Sequence, residues 1–387
     1  MHYESITESR SLEDYCGLLR KAPWIAIDTE FVAEHTFRPV LCLVQVATSE
    51  GLAVIDGLTV SDLAPFWEVL VNPGHVTVVH AGRGEVEFCL SATGSPPEGL
   101  FDVQVAAGMA GMEFPAGYGT LVSRLLGEPS KKHETRTDWR KRPLSSRQVE
   151  YALQDVMHLD PLRRLLEERL ESLGRRAWFA EEMQNWLAEI AHAASDERWR
   201  RVSGNSGLDA RQLAVVRELF RWRDAEAQRR DQPARRVLRD DLIVELARRQ
   251  SSDPKHIRAL RGLERGDLTR HMPSLSAAIQ RALDLDPEEL PRRPPREQTA
   301  QLSVLGQFLF AALGSLCRRA QLAPALVGSP NDVRDWIGWR EGALAREPKL
   351  ARGWRKEFIG KLFDDLLSGR KVVRVADPRS ESPLVIE

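Results

Sequence analysis

WIAIDTEF, residues 24–31, sets Asp28 and Glu30 into an otherwise apolar, β-branched run. Side chains alternate along a strand, so Asp28 and Glu30 share one face while Ile25 and Ile27 take the other. Two carboxylates converging in apolar surroundings call for a counter-charge. The plainer alternative is a strand end whose carboxylates stand in water. Outward from this segment, PVLCLVQVAT (39–48), LAVIDGL (52–58) and VTVVHAG (76–82) read as further strands of one sheet. GEVEFCLSA (84–92) and DVQVAAGMAG (102–111) read as helices, which makes the first half an α/β unit with helices covering a sheet.

Ser145 and Gln148 have capping-box spacing and open the helix SRQVEYALQDVMHL, with Val149, Ala152, Leu153 and Val156 on its apolar side. Spacing i, i+4 stacks Tyr151 over Asp155 on one helix face, a pair that also occurs on ordinary amphipathic helices. Asp160-Pro161 predicts a break and a new helix start, and Gly174 a helix end. In HAGRGEVEF (80–88), Glu85 and Glu87 fall near a helix start, where the helix dipole alone favours acidic residues. Beyond about residue 176 helical periodicity dominates, as at Leu213, Val216, Leu219, Phe220, Leu242 and Leu246. PEELPRRPPREQ (287–298) reads as a semi-rigid linker, and ADPRSESPLVIE as a loose tail.

With 387 residues, 42% hydrophobic and 29% charged, the chain has room for two or three domains. Its four cysteines, at 16, 42, 89 and 317, form no C-x-x-C pair, which disfavours a disulfide framework and a thiolate zinc site and fits a reducing, cytoplasmic setting. The acidic start and the lack of any long apolar run disfavour secretion and membrane insertion. A net charge of −1 argues against a nucleic-acid partner until it is divided. Residues 1–170 carry 16 Lys/Arg against 24 Asp/Glu, and the remainder 39 against 32.

The ordered set Asp28-x-Glu30, HAGxxE (80–85), RTDW (136–139), RPL (142–144) and Tyr151-x-x-x-Asp155 closely resembles the ribonuclease D family of DEDD exonucleases over roughly residues 20–170. LDARQLAVVRELFRWRDAEAQRRDQPARRVLRDDLIVELA (208–247) resembles the opening of an HRDC domain. LAPALVGSPNDVRDWI (322–337) with GWRKEFIG (353–360) is similar to a second, divergent HRDC-like unit. The expected architecture is an α/β ribonuclease H-like nuclease domain, a mixed sheet flanked by helices, followed by two all-α HRDC-type domains. Its divisions are 1–175 nuclease, 176–207 helical linker, 208–286 HRDC, 287–298 proline-rich linker, 299–372 second helical unit and 373–387 tail.

The resemblance implies 3′→5′ hydrolysis of RNA ends with two Mg²⁺ or Mn²⁺ ions, tRNA precursors as substrates, and helical modules that hold the RNA body. Such ions sit about 3.5–4 Å apart in two-metal sites. By position, Asp28 would bridge both ions, Glu30 and Asp155 would hold the one on the nucleophile side, Glu85 would support the other, and Tyr151 would orient water. Glu85 departs from the family pattern, which has Asp there. The extra methylene leaves a rival open, a non-catalytic RNA-binding protein with an impaired site; a DNA-directed exonuclease of the same class is another. Glu87, two positions along the helix, points elsewhere, and Asp102 reads as a helix cap.

Residues 131–142 hold six basic side chains, of which Lys131, Lys132 and Arg140 are candidate phosphate contacts while Arg136 and Arg142 have structural alternatives. Phe31 is a candidate base-stacking or core residue. His80, His133 and His158 are read as structural. Residues 201–280 have 17 Lys/Arg and 11 Asp/Glu, and their arginines, Arg235 and Arg236 included, are expected to form a surface that either pairs with local acids or faces RNA. The tryptophans at 222, 336, 339 and 354 read as packing residues.

Overall fold

The computed structural model describes residues 2–129, 137–193, 196–263, 270–291, 300–344, 346–380 and 383–387. Six strands, β1 (Glu4–Ile6), β2 (Trp24–Val32), β3 (Val40–Thr48), β4 (Gly51–Asp56), β5 (Val76–Val79) and β6 (Leu100–Asp102), form a mixed sheet ordered β1-β4-β3-β2-β5-β6. β2 runs antiparallel to β3 and parallel to β5, so the acidic strand lies inside the sheet. β1 and β6 went unrecognised in the sequence because three residues show no alternation. β5 ends at Val79 rather than reaching Gly82.

On the face opposite the acidic pair, Ile25, Ile27, Val44 and Val46 enter a large core. That core takes in Leu12, Tyr15, Cys16 and Leu19, the apolar stripe of α1 (Ser9–Leu19), together with Phe66 and Trp67 of α2 (Ala64–Leu70). Next in the chain come α3 (Arg83–Thr93), α4 (Val103–Met109) and α5 (Tyr118–Leu121). α6 (Ser146–Met157) covers the acidic face, packing Val149, Ala152 and Leu153 with Leu43 and Val54. Its capping box is formed: Ser145 accepts the Gln148 N–H, and the Gln148 side chain accepts the Ser145 N–H. The break falls at His158, so Pro161 is the third residue of α7 (Leu159–Ser172), where no intrahelical N–H bond is lost. Gly174 follows with φ +67°, as a helix end requires.

α8 (Arg176–Ala193) joins the nuclease to the last helices, 300–320, 330–340 and 353–367. The core is continuous across this junction, with Leu309, Leu313, Trp336, Trp354 and Phe363 in the same cluster as Ile27. Arg175 donates to the carbonyls of Met109, Ala320 and Gln321, and the Ala323 N–H to Gly108 at 2.9 Å. Glu182 on α8 pairs with Arg355 through bonds of 2.6 and 2.7 Å and accepts the Trp354 indole N–H at 2.9 Å. The guanidinium beside Glu182 and that indole hold its carboxyl below the usual range against the opposing effect of burial. Glu182→Ala strands a buried guanidinium, and a loss of about 3–5 kcal/mol in unfolding free energy is expected in urea titration.

Between these parts, α9 (Ala210–Arg229), α10 (Ala234–Val237), α11 (Asp240–Arg249) and helix 272–283 surround a core of their own, including Leu213, Val216, Leu219, Leu242, Leu246 and Ile279. Trp222 packs beside it and its Nε1–H donates to Ser274 at 3.1 Å. The end of the chain is more ordered than its composition suggests. Val373–Val375 and Leu384–Ile386 pair antiparallel, Ile386 is buried, and the Leu384 carbonyl accepts from Ser315 at 2.9 Å.

Candidate active site

Asp28 and Glu30 leave β2 on the side covered by α6, and Asp155 comes down from the last turn of that helix. One oxygen from each of the three carboxylates lies within 4.8 Å of the other two. Among the described residues no ion pair involves any of them, so none of those side chains supplies the expected counter-charge. Their acidities follow. Burial, with repulsion from Glu85, Asp155 and Glu30, holds Asp28 well above the carboxylate range. Burial first, and repulsion from Asp155 and Glu85 next, pushes Glu30 up to about 8. Asp155 rises to about 6 through burial, opposed by a hydrogen bond from the Tyr151 hydroxyl. Tyr151, one turn before Asp155, is itself pushed above its ordinary value by burial and these carboxylates, so it stays protonated.

Glu85 is the third residue of α3, buried, and beside Asp28 without joining the tight trio. Its Oε1 accepts the Thr29 hydroxyl at 2.5 Å. Burial raises its pKa, while that bond and the backbone N–H groups of Thr29 and Glu85 pull it back. Thr29 was not singled out in the sequence; its only signal is its place between the two acidic residues of β2. Glu87 pairs with Arg83 at 2.9 Å on the exposed side of α3.

The start of α3 is set by Asp102. Its side chain accepts the N–H groups of Ala81 at 3.2 Å, Gly82 at 3.0 Å and Gln104 at 2.8 Å, capping α4 and fixing the HAG turn together. Ala81 adopts φ +53°, and a Cβ at Gly82 would run into the Val79 side chain. Asp102→Ala orphans these three N–H groups and that of Val105, which also bonds Oδ1. A loss of about 3 kcal/mol or more is expected in denaturant unfolding, with activity falling too because Glu85 rides on the same turn.

Of the remaining candidates, Phe31 follows a register shift in β2 between Glu30 and Phe31, stands 41% exposed beside the trio, and meets Phe88 edge-on at 5.5 Å. Arg140 is exposed and pairs with Asp138 at 3.1 Å. Arg142 is committed to structure, bonding both oxygens of Asp56 and the Cys42 carbonyl. Lys131, Lys132, His133 and Arg136 lie outside the described residues. His80 bonds the Ala116 carbonyl at 2.9 Å, and His158 faces Glu128 at 3.4 Å.

In the helical unit, Arg221, Arg229, Arg230 and Arg239 pair with local acids. Arg223 departs from the expected surface: it is buried, its Nη1 donates to Asp240 and the Leu238 carbonyl, and its Nε is left without a partner among the described residues. Arg235 is largely exposed, 3.4 Å from Asp240. Arg236 is used between domains, donating to His35 Nδ1 at 3.2 Å, while Asp231 accepts the Phe37 N–H at 3.0 Å. These contacts dock the helical unit on the loop that follows β2.

A carboxylate cluster on a mixed sheet, joined to a helical module, has the chemistry of a metal-dependent nuclease, and comparison with known families gives its class. Residues 3–171 match a 3′-5′ exonuclease domain family, and residues 212–279 match the HRDC domain. The chain is 37% identical to ribonuclease D of Granulibacter bethesdensis, covering 92% of this chain and 90% of that one. It is 35% identical to ribonuclease D of Gluconacetobacter diazotrophicus, over 97% and 95% of the two chains. The crystal structure of Escherichia coli RNase D, an exoribonuclease involved in structured RNA processing, superposes with a TM-score of 0.83 at 28% identity, covering 95% of this chain and 99% of that one. The chain belongs to the ribonuclease D family and is a 3′→5′ exoribonuclease.

Proposed function

We propose that this enzyme trims 3′ extensions from structured RNA, tRNA precursors above all, releasing 5′-mononucleotides. The observation that carries this is the trio Asp28, Glu30 and Asp155, three converging carboxylates that no basic side chain among the described residues pairs with. All donors are hard oxygens, which suits Mg²⁺ or Mn²⁺. Divalent cations bound there supply the Lewis acidity that activates water and stabilises the leaving 3′ oxygen of a phosphodiester. Asp28, central to the group, would serve two cations; Glu30 and Asp155 would complete one position and Glu85 the other. The Tyr151 hydroxyl, kept protonated, donates to Asp155 and orients the attacking water without accepting its proton. Phe31 offers the terminal base an aromatic face, and Arg140 and Arg235 offer charge to the backbone. A cytoplasmic location goes with an RNA substrate and four free, buried cysteines; no described helix is long and apolar enough to cross a membrane.

A 5′-labelled tRNA with a 3′ extension is expected to shorten stepwise in Mg²⁺ and to remain intact with a chelator. No metal-dependent product would favour a binding protein, and faster hydrolysis of the matched DNA would favour a DNA exonuclease. Glu85→Gln is expected to lower the rate by about 10–100-fold, with Glu85→Asp less affected. Unchanged activity in the Gln form would remove Glu85 from the site.

A further inference from the structure

Gln45 stands on β3 directly across the ladder from Asp28. Opposite residues of an antiparallel pair project from the same face with Cβ atoms about 4.5–5.5 Å apart, so the Gln45 carboxamide is within reach of the Asp28 carboxylate. Apart from the carboxylates of β2, its neighbours on that face are apolar: Leu43 and Ala47 lie two residues away along β3, Val54 opposite on β4, and α6 above. Gln45 is 0% exposed, yet its Nε2 and Oε1 are both buried without a hydrogen-bond partner among the described residues. An orphaned buried polar group costs about 1–3 kcal/mol. A methionine of similar volume would fill the place without that cost, so packing does not account for a glutamine here.

What a carboxamide adds beside a crowded carboxylate is a donor that carries no charge. A lysine or arginine would neutralise Asp28 and compete with cations; an amide N–H orients the carboxylate and leaves its charge available. We propose that Gln45 is the positioning residue of Asp28: its Nε2–H donates to one carboxylate oxygen and fixes the rotation in which Asp28 serves both cations. The contact closes by rotation of the Gln45 arm. The proposal rests on the reading of Asp28 as the shared ligand, and it separates two roles on one strand pair, with Asp28 holding charge and Gln45 holding geometry.

The test uses full-length Gln45→Met and Gln45→Leu proteins with Asp28→Asn alongside, read by Mn²⁺ titration calorimetry, by the thermal midpoint in chelator, and by kcat and KM on a 3′-extended RNA. Both Gln45 variants are expected to melt at or above the wild-type temperature while binding Mn²⁺ about tenfold or more weaker, with kcat reduced and KM unchanged. A purely structural glutamine does not produce higher stability together with weaker metal binding. In the Asp28→Asn background, Gln45→Met is expected to add no further loss of Mn²⁺ affinity. Unchanged Mn²⁺ affinity in the Gln45 variants, or a marked fall in thermal midpoint in both, overturns the proposal. If Asp28→Asn binds Mn²⁺ as the wild type does, the reading of Asp28 fails instead, and that result is distinct from a failure confined to Gln45.

Discussion

Asp28→Asn is expected to lower kcat on a 3′-extended RNA by about a thousandfold or more, while the folded protein survives. Asp28 is the carboxylate on which Glu85, Asp155 and Glu30 all act, and it is the one to which the proposed function assigns both cation positions. An amide of the same shape keeps the packing under α6 but removes the charge. The same substitution relieves repulsion, so without divalent metal Asp28→Asn is expected to melt above the wild type. Loss of activity with gain of stability separates a functional carboxylate from a structural one. An inactive variant that also melts far below the wild type would contradict this account of Asp28.

The second large effect is on stability as a function of pH. Glu30 is raised from 4.5 to about 8 and Asp155 from 3.8 to about 6, both first by burial. A carboxyl whose folded pKa exceeds its unfolded one favours folding while protonated. That contribution is fully present below the unfolded values near 4 and is lost as pH rises through about 6 and then about 8. In chelator, the thermal midpoint is therefore expected to fall between pH 5 and pH 8.5, by about 5 °C or more. Millimolar Mg²⁺ should cancel most of the fall, because cations bind the folded, ionised site and not the unfolded chain. Glu30→Gln should show a shallower slope in chelator; an identical slope would place the pH dependence elsewhere in the chain.

Much of this arrangement was legible in the sequence where the signals are local. Strand parity put Asp28 and Glu30 on one face, helical spacing stacked Tyr151 over Asp155, and the Ser145 box marked the start of α6. Other features depend on contacts between residues far apart in sequence. The Thr29 bond to Glu85 spans 56 positions, and the clasp of Asp102 on Gly82 spans 20. Neither has a periodicity to betray it. The arginines of the helical unit show the limit of charge counting: their number predicts a surface, but which ones pair with Glu226 or Asp241, are buried like Arg223, or dock a domain like Arg236 is decided by packing. Likewise, helical periodicity beyond residue 176 does not reveal that α8 and the last helices share one core with the sheet.

The near-zero net charge of the chain is a sum of two unlike halves. The acidic excess of the first includes four carboxylates that crowd one site, and bound cations would offset them. The basic excess of the second is partly taken up by its own acids and by docking, and the proposed function assigns exposed groups such as Arg235 to the RNA backbone.

The central claim is that these carboxylates hold cations against the phosphate being cleaved. It is tested most directly by replacing a nonbridging oxygen of the terminal phosphodiester with sulfur. Sulfur is a poor partner for hard Mg²⁺ and a better one for softer Mn²⁺. With one of the two diastereomers, hydrolysis is expected to slow by about tenfold or more in Mg²⁺ and to recover toward the all-oxygen rate in Mn²⁺. Equal slowing in both metals, or hydrolysis that continues in chelator, would contradict the account.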